Sequence, residues 1–342
     1  MTLSSLISWI QGAIIFGTVI MYGSIGETLT EKSGNLNLGV PGIMYLGGIA
    51  SLASTFMYEL NVPNPNPVIC LILAMVSAFV ASALGGLIYS FLTITLRANQ
   101  NVTGLTLTIF GSGVANFFGG SLNKLAGGVG QISVPVTSSV FRTNIPGLSS
   151  MGAVGKIFFS YGFMAYLAIV IAIVSQYFLS KTKTGLNLRA VGENPATADA
   201  AGINVTRYKY LSTCIGAGIS GMGGLFYVMD YIKGTWANDG SIEALGWLAV
   251  ALVIFTNWKP KNAIWGSYLF GFCYWLYLYL PSSISTKLAN WFGLAKTAHM
   301  QNLYNMIPYI VTIVVLVITS CRKNKKSQAP AALGLPYFRE DR

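Results

Sequence analysis

The chain has 342 residues, 53% of them hydrophobic and only 9% charged, and its mean hydropathy is +0.59. Soluble domains carry about 25% charged residues, so this composition excludes an ordinary globular protein and specifies a polytopic membrane protein. The formal net charge of +11 does not indicate nucleic acid, because the basic residues sit in a few loops and the tail rather than on one face; retention of lysine and arginine on the cytoplasmic side explains it.

Residues 3–23 predict the first membrane span, expected to be retained because no basic leader region precedes it and no cleavage site follows. Residues 23–42, GSIGETLTEKSGNLNLGVPG, begin polar with Glu27, Glu31 and Lys32 and then turn apolar but glycine-rich. Gly34, Gly39, Pro41, Gly42, Gly47 and Gly48 crowd beside Asn35 and Asn37. This pattern suits a broken or re-entrant helix near 36–58, whose irregular backbone must line a cavity or be buried in protein. It equally suits a loop leading into a glycine-tolerant span at 42–58. NVPNPNP, residues 61–67, reads as a tight external turn. The apolar stretch 67–96 outruns the ~20 residues needed to span, so it is tilted, kinked or protruding. RANQ, 97–100, is a short polar break. The span 101–120 is dotted with Thr103, Thr106, Thr108, Ser112 and Asn116, which either tie helices together or face a polar path. A glycine- and serine-rich loop at 121–155 precedes a span at 157–179.

Residues 181–210, KTKTGLNLRAVGENPATADAAGINVTRYKY, are the long polar segment between apolar ones. A short helix is marked inside it. Asn194 can cap its start, and Pro195 suits the first helical position, where a missing N–H costs nothing. Asp199 lies early enough to favour the positive helix end. Gly202 can adopt the left-handed conformation that ends the helix. About two turns of helix do not persist alone in water, so something must hold them, and a partner protein is the simplest candidate.

Beyond it, Gly216, Ser220 and Gly224 form a small-residue stripe for close helix contact in the span 211–230. Further spans are expected at 243–257, 262–281 and 303–321, with a connector at 282–302 carrying Lys287, Lys296 and His299. RKNKK and a polar tail follow. The chain thus divides into a transmembrane domain, 1–322, and a tail, 323–342. Placing the tail inside and threading backwards puts 258–261, 181–210, 97–100 and 24–35 on the same, cytoplasmic side. That threading gives an all-α protein of nine crossings, within a range of eight to ten, and no internal repeat is evident.

No Walker A, GxSxG or HExxH sequence occurs, and His299 is the only histidine. Cys70, Cys214, Cys273 and Cys321 are scattered without CxxC spacing, which indicates packing rather than a metal or disulfide. Every carboxylate is placed in a loop or at a span end. Ion-coupled carriers usually hold an ionisable group at membrane depth, so the energy for transport must come from elsewhere, or the chain is a passive channel. An enzyme is not indicated.

Several stretches resemble one family. GETLTEKSGNLNLGVPGIM (26–44), RANQNVTGLTLTIFGSG (97–113), TGLNLRAVGENPATADAAGINVTRYK (184–209), ALVIFTNWKP (251–260) and ALGLPYFRE (332–340) are similar to landmarks of bacterial ABC-importer permeases of the branched-chain amino acid, ribose and nucleoside branch. The likeness is greatest to nucleoside-type permeases. It implies a type II-like permease in the bacterial cytoplasmic membrane. Implied partners are a second, different permease chain, an ABC ATP-binding subunit holding ATP and magnesium, and an extracellular substrate-binding lipoprotein; no cofactor is bound by this chain. The resemblance makes 194–202 the coupling helix, with Arg189, Glu193, Asn194, Pro195, Ala196, Thr197, Asp199 and Gly202 as its working residues. Asn35, Asn37, Asn99, Gln100, Thr103, Thr106 and Asn116 are expected along the substrate path, with Gly39 and Gly42 shaping the backbone. Pro41 stands where the family has an acidic residue. A simple sugar, riboflavin or a branched-chain amino acid is the alternative cargo.

Overall fold

The computed structural model describes residues 3–125, 132–144, 152–236, 239–279 and 328–338, with scattered positions between 306 and 317. Its helices are α1 (Leu3–Glu31), α2 (Val40–Asn61), α3 (Pro67–Ser90), α4 (Gln100–Leu125), α5 (Pro135–Phe141), α6 (Gly152–Phe158), α7 (Phe163–Lys181), α8 (Lys183–Glu193), α9 (Pro195–Ala200), α10 (Val205–Phe226), α11 (Ser241–Phe255) and α12 (Pro260–Tyr279). Single π-turns extend α3 through Phe91–Thr95 and α10 through Tyr227–Tyr231. Six of these helices are long and apolar enough to cross a membrane. At 1.5 Å per residue, α11 reaches only ~22 Å, short of a bilayer core of ~30 Å, so the crossing expected at 243–257 is a short helix. The span expected at 303–321, the connector with Lys287, Lys296 and His299, Cys321 and the RKNKK run lie outside the described residues, save the scattered positions.

Three helices make the centre. α1 and α2 both pack on α10; α3 covers α2 and α10, α4 covers α2, and α11 and α12 lie on α1. The small-residue stripe on α10 performs the close approach expected of it. A Cβ at Gly26 or at Gly216 would collide with the backbone of the other, and Ser220 Oγ donates to Gly23 O at 3.1 Å. Gly224 meets Met44 of α2 in the same way. Around these crossings Tyr22, Met21, Leu52 and Phe226 are fully buried.

This packing corrects the first boundary. The glycines and polar residues from 23 onward were expected to end the span, yet α1 continues to Glu31. Gly23 and Gly26 are contact points for neighbouring helices rather than turn residues. Glu27 and Glu31, expected in a loop, occupy the last turns of α1 and are 1% and 2% exposed.

Of the two readings of 36–58, the structure favours the loop that leads into a continuous span. α2 is continuous from Val40 to Asn61, and the irregular backbone lies earlier, at 32–39. That stretch is buried, so each polar group needs a protein partner. Asn37 N donates to Glu27 Oε1 at 3.0 Å, and Leu36 N donates to Gln100 Oε1 at 2.7 Å. Leu36 O accepts from Tyr89 OH at 2.6 Å, and Leu38 O from Thr108 Oγ1 at 3.1 Å. Pro41 then enters the first turn of α2, where a proline is tolerated.

The segment 121–155, expected to be a loop, contains α5 and the start of α6. α5 inserts among α3 and the end of α10. Glu59 caps it, with Oε1 accepting from Thr137 N at 2.7 Å and from Thr137 Oγ1 at 2.6 Å.

Candidate functional site

The segments 24–35, 97–100, 181–210 and 258–261 meet at one end of the bundle. Trp258 Nε1 donates to the Glu31 carboxylate. Lys32 is surrounded by Glu193, Arg189, Glu31 and Lys259. Burial pushes its amine below the ordinary lysine range, Arg189 and Lys259 act the same way, and Glu193 opposes them. α5, Arg142 and Lys233 mark the other end.

From this basic end projects the α8–α9 pair. Thr182 Oγ1 caps α8 by accepting from Gly185 N at 3.0 Å, and Gly185, Leu188, Val191 and Gly192 form its buried face. α8 was not anticipated from the sequence, although the Thr182 cap and the 188/191 apolar spacing were there to be read. The second helix follows the local signals closely. Asn194 Oδ1 accepts from Thr197 N at 3.0 Å, Pro195 opens the helix, and Gly202 has φ +81°. Ala198 points inward against Val191 and Val205. Glu193, Asn194, Thr197 and Ala200 face outward and are exposed, while Ala196 is half-buried. Arg189 is half-buried, and its Nε has no partner among the described residues.

The support for this short helix comes from the chain itself. Residues 328–338 fold back over it. Ala332 N donates to Gly192 O at 3.0 Å, Ala331 N to Glu193 Oε2 at 3.3 Å, and Gly334 N to Gly34 O at 3.1 Å. Tyr337 packs on the Val191–Ala198–Val205 cluster, and its hydroxyl donates to Asp199 Oδ2 at 2.8 Å. Arg97 sits over the Phe338 ring, 4.5 Å from its centre. The shortness of α9 is therefore no argument for a partner protein, because the tail already holds it. Asp199, read as a dipole residue, is the tail's anchor.

The residues expected along a substrate path do not converge on one cavity. Asn35 Nδ2 donates to Thr213 Oγ1 at 2.9 Å, and Asn37 Oδ1 accepts from Gly39 N at 2.9 Å. A Cβ on Gly39 or Gly42 would press into Leu107 of α4. Asn99 caps α4 by accepting from Val102 N at 3.1 Å, and Gln100 braces the 32–39 stretch. Thr103 is buried and donates to Asn99 O at 2.8 Å. Thr106 and Asn116 differ: Thr106 is exposed on the outward face of α4, and Asn116 is half-buried at its edge, with its Oδ1 buried and without a hydrogen-bond partner among the described residues. There they alternate with Leu105, Ile109, Phe110 and Phe117. The outward faces of α3 and α7 are apolar by contrast, carrying Ile72, Val76, Val80, Leu84, Val170 and Ile173. No group of three or more potential metal ligands occurs among the described residues.

The family described as branched-chain amino acid transport system / permease component matches residues 9–316. The chain is 31% identical to the guanosine ABC transporter permease protein NupQ of Bacillus subtilis over 97% of both chains. It is 32% identical to the putative glucose ABC transporter permease protein TsgC13 of Haloferax volcanii, over 94% of this chain and 95% of that one. It is 30% identical to the nucleoside ABC transporter permease protein NupC of Lactococcus lactis, over 96% of both. No solved structure matches.

Proposed function

The chain belongs to the branched-chain amino acid transport system permease family, and from that premise we propose that it forms half of a nucleoside pathway gated through α9. As an ABC-importer permease it is a non-catalytic, multi-pass membrane subunit that works with an ATPase and a substrate-binding protein. The nucleoside cargo is supported by relatives named for guanosine and nucleosides, each aligned over nearly its whole length. The observation that carries the coupling role is geometric. α9 is capped at both ends, braced from behind by α8 and the tail, and open on its Asn194–Thr197–Ala200 face. A rigid, outward helix on the basic end is a handle for a separate ATP-binding subunit, which holds the ATP and magnesium.

We place the substrate path along α4, whose outward face mixes Thr106 and Asn116 with apolar side chains. A second permease, a different protein, would complete it. Hydroxyl and amide groups offer hydrogen bonds to a sugar or a base without holding either tightly, and weak contacts suit a conduit. The complex reconstituted in liposomes with its binding protein should import labelled guanosine only when ATP is enclosed on the α9 side. Import without ATP would make the chain a passive channel. Glucose import with no guanosine import would favour the sugar reading that the Haloferax relative supports. Charge reversal at Glu193 with Thr197→Arg should release the ATPase, and unchanged binding and uptake would remove α9 from the coupling role.

A further inference from the structure

A cavity of about 740 Å³ opens at the basic end between the turn after α3, the start of α10 and the tail. Arg97, Arg207 and Lys209 line it, together with Asn204, Tyr210 and Tyr337. Lys209 is only 3% exposed, and its side chain is part of the cavity wall. Asp199 also lines the cavity, but its carboxylate already accepts from Tyr337. Three cations against the single Asp199 carboxylate leave the chamber with excess positive charge, and unpaired buried charge is costly, so the arrangement is short of an anion.

The position of the cavity says which anion. Arg97 lies just past the span Pro67–Thr95, and Lys209 lies one turn inside the span Val205–Tyr231. Both therefore stand at headgroup depth, where lysine and arginine meet lipid phosphate. A second cavity of about 460 Å³ adjoins the first and shares Asn204, Arg207 and Leu211 with it. Its wall is apolar, built by Leu29, Phe178, Leu188 and Ile215. A polar chamber with three cations beside an apolar one fits a molecule with an anionic head and a hydrocarbon tail.

We propose that these neighbouring cavities, which share the Asn204–Arg207–Leu211 wall, together bind one anionic glycerophospholipid from the membrane leaflet at the basic end. Its phosphate lies among Arg97, Arg207 and Lys209, and an acyl chain lies beside Leu188 and Ile215. Because Tyr337 and Asp199 border the same chamber, the bound lipid supports the tail–α9 contact.

The test uses the complete importer complex purified in mild detergent, with retained lipid measured by native mass spectrometry. Wild type should retain an anionic glycerophospholipid. Lys209→Met and Arg207→Gln should each retain about fivefold less, and Arg142→Gln at the opposite end should retain as much as wild type. Arg207 is exposed, so its variant folds even if burial makes Lys209→Met unstable. In discs of zwitterionic lipid, added phosphatidylglycerol should raise the thermal stability of wild type but not of Arg207→Gln, and inorganic phosphate should not substitute. Equal retention by all four proteins would overturn the proposal. So would a stability gain from inorganic phosphate alone, which would assign the chamber to a soluble phosphate compound. Retention that appears only after deletion of residues 339–342 would assign the chamber to the chain's own Glu340 and Asp341. Retention by the permease pair but not by the full complex would assign it to the ATPase.

Discussion

Gly26 shows how far one side chain can reach in this molecule. Its missing Cβ lets α1 touch Gly216 and Ser220 of α10, and on that contact rest the positions of Glu27, Glu31 and the 32–39 stretch. Gly26→Val should separate the two central helices and cost at least ~1–3 kcal/mol, read as a lowered unfolding temperature in detergent. Gly113→Val, at a position open on all sides, should change it little. Lys32 gives a second residue-level prediction. Its folded-state pKa lies below the ordinary value of ~10.4, so between the two values the unfolded chain holds more protons. Stability should therefore rise with pH across that alkaline window and level off above it. Lys32→Gln should flatten this rise; an unchanged slope would show that another group causes it.

Among the elements, α9 was legible because its signals are local. A cap, a first-turn proline and a terminal glycine act within a few residues of the helix they define, and Asn194, Pro195 and Gly202 do so. Its support was not legible, since the strap lies 138 residues away at Tyr337 and reads as a polar tail. Removing residues 328–342 should expose Val191, Ala198 and Val205 and speed hydrogen exchange of 195–200 by about tenfold or more, while α10 beyond Ser212 stays protected. Tyr337→Phe, which loses one hydrogen bond worth ~1 kcal/mol, should speed the same amides by about fivefold. Exchange of α9 that ignores both changes would remove the strap from its role.

Across the whole molecule, charge distribution and tertiary contacts give the same division into two ends. The sequence threading groups 24–35, 97–100, 181–210 and 258–261 by their basic residues. The structure joins the same segments through Glu31–Trp258, Gly34–Gly334, Gly192–Ala332 and Arg97–Phe338. Cysteines introduced at Thr197 and Ser139, in a background lacking Cys70, Cys214, Cys273 and Cys321, should therefore react with impermeant reagents from opposite faces of the membrane. Labelling of both from one face would overturn the topology.

What the sequence determined by itself is whatever depends on neighbours in the chain: the apolar spans, the capped helix after Asn194 and the small-residue stripe on α10. Tertiary structure alone decided the length of α1, the burial of 32–39, the insertion of α5 and the course of the tail. The reason is physical. Leu36 N needs Gln100, 64 residues on, and Glu31 meets Trp258, 227 residues on. A buried backbone or carboxylate group must find a partner wherever the fold supplies one, and no pattern confined to a short window records where that is.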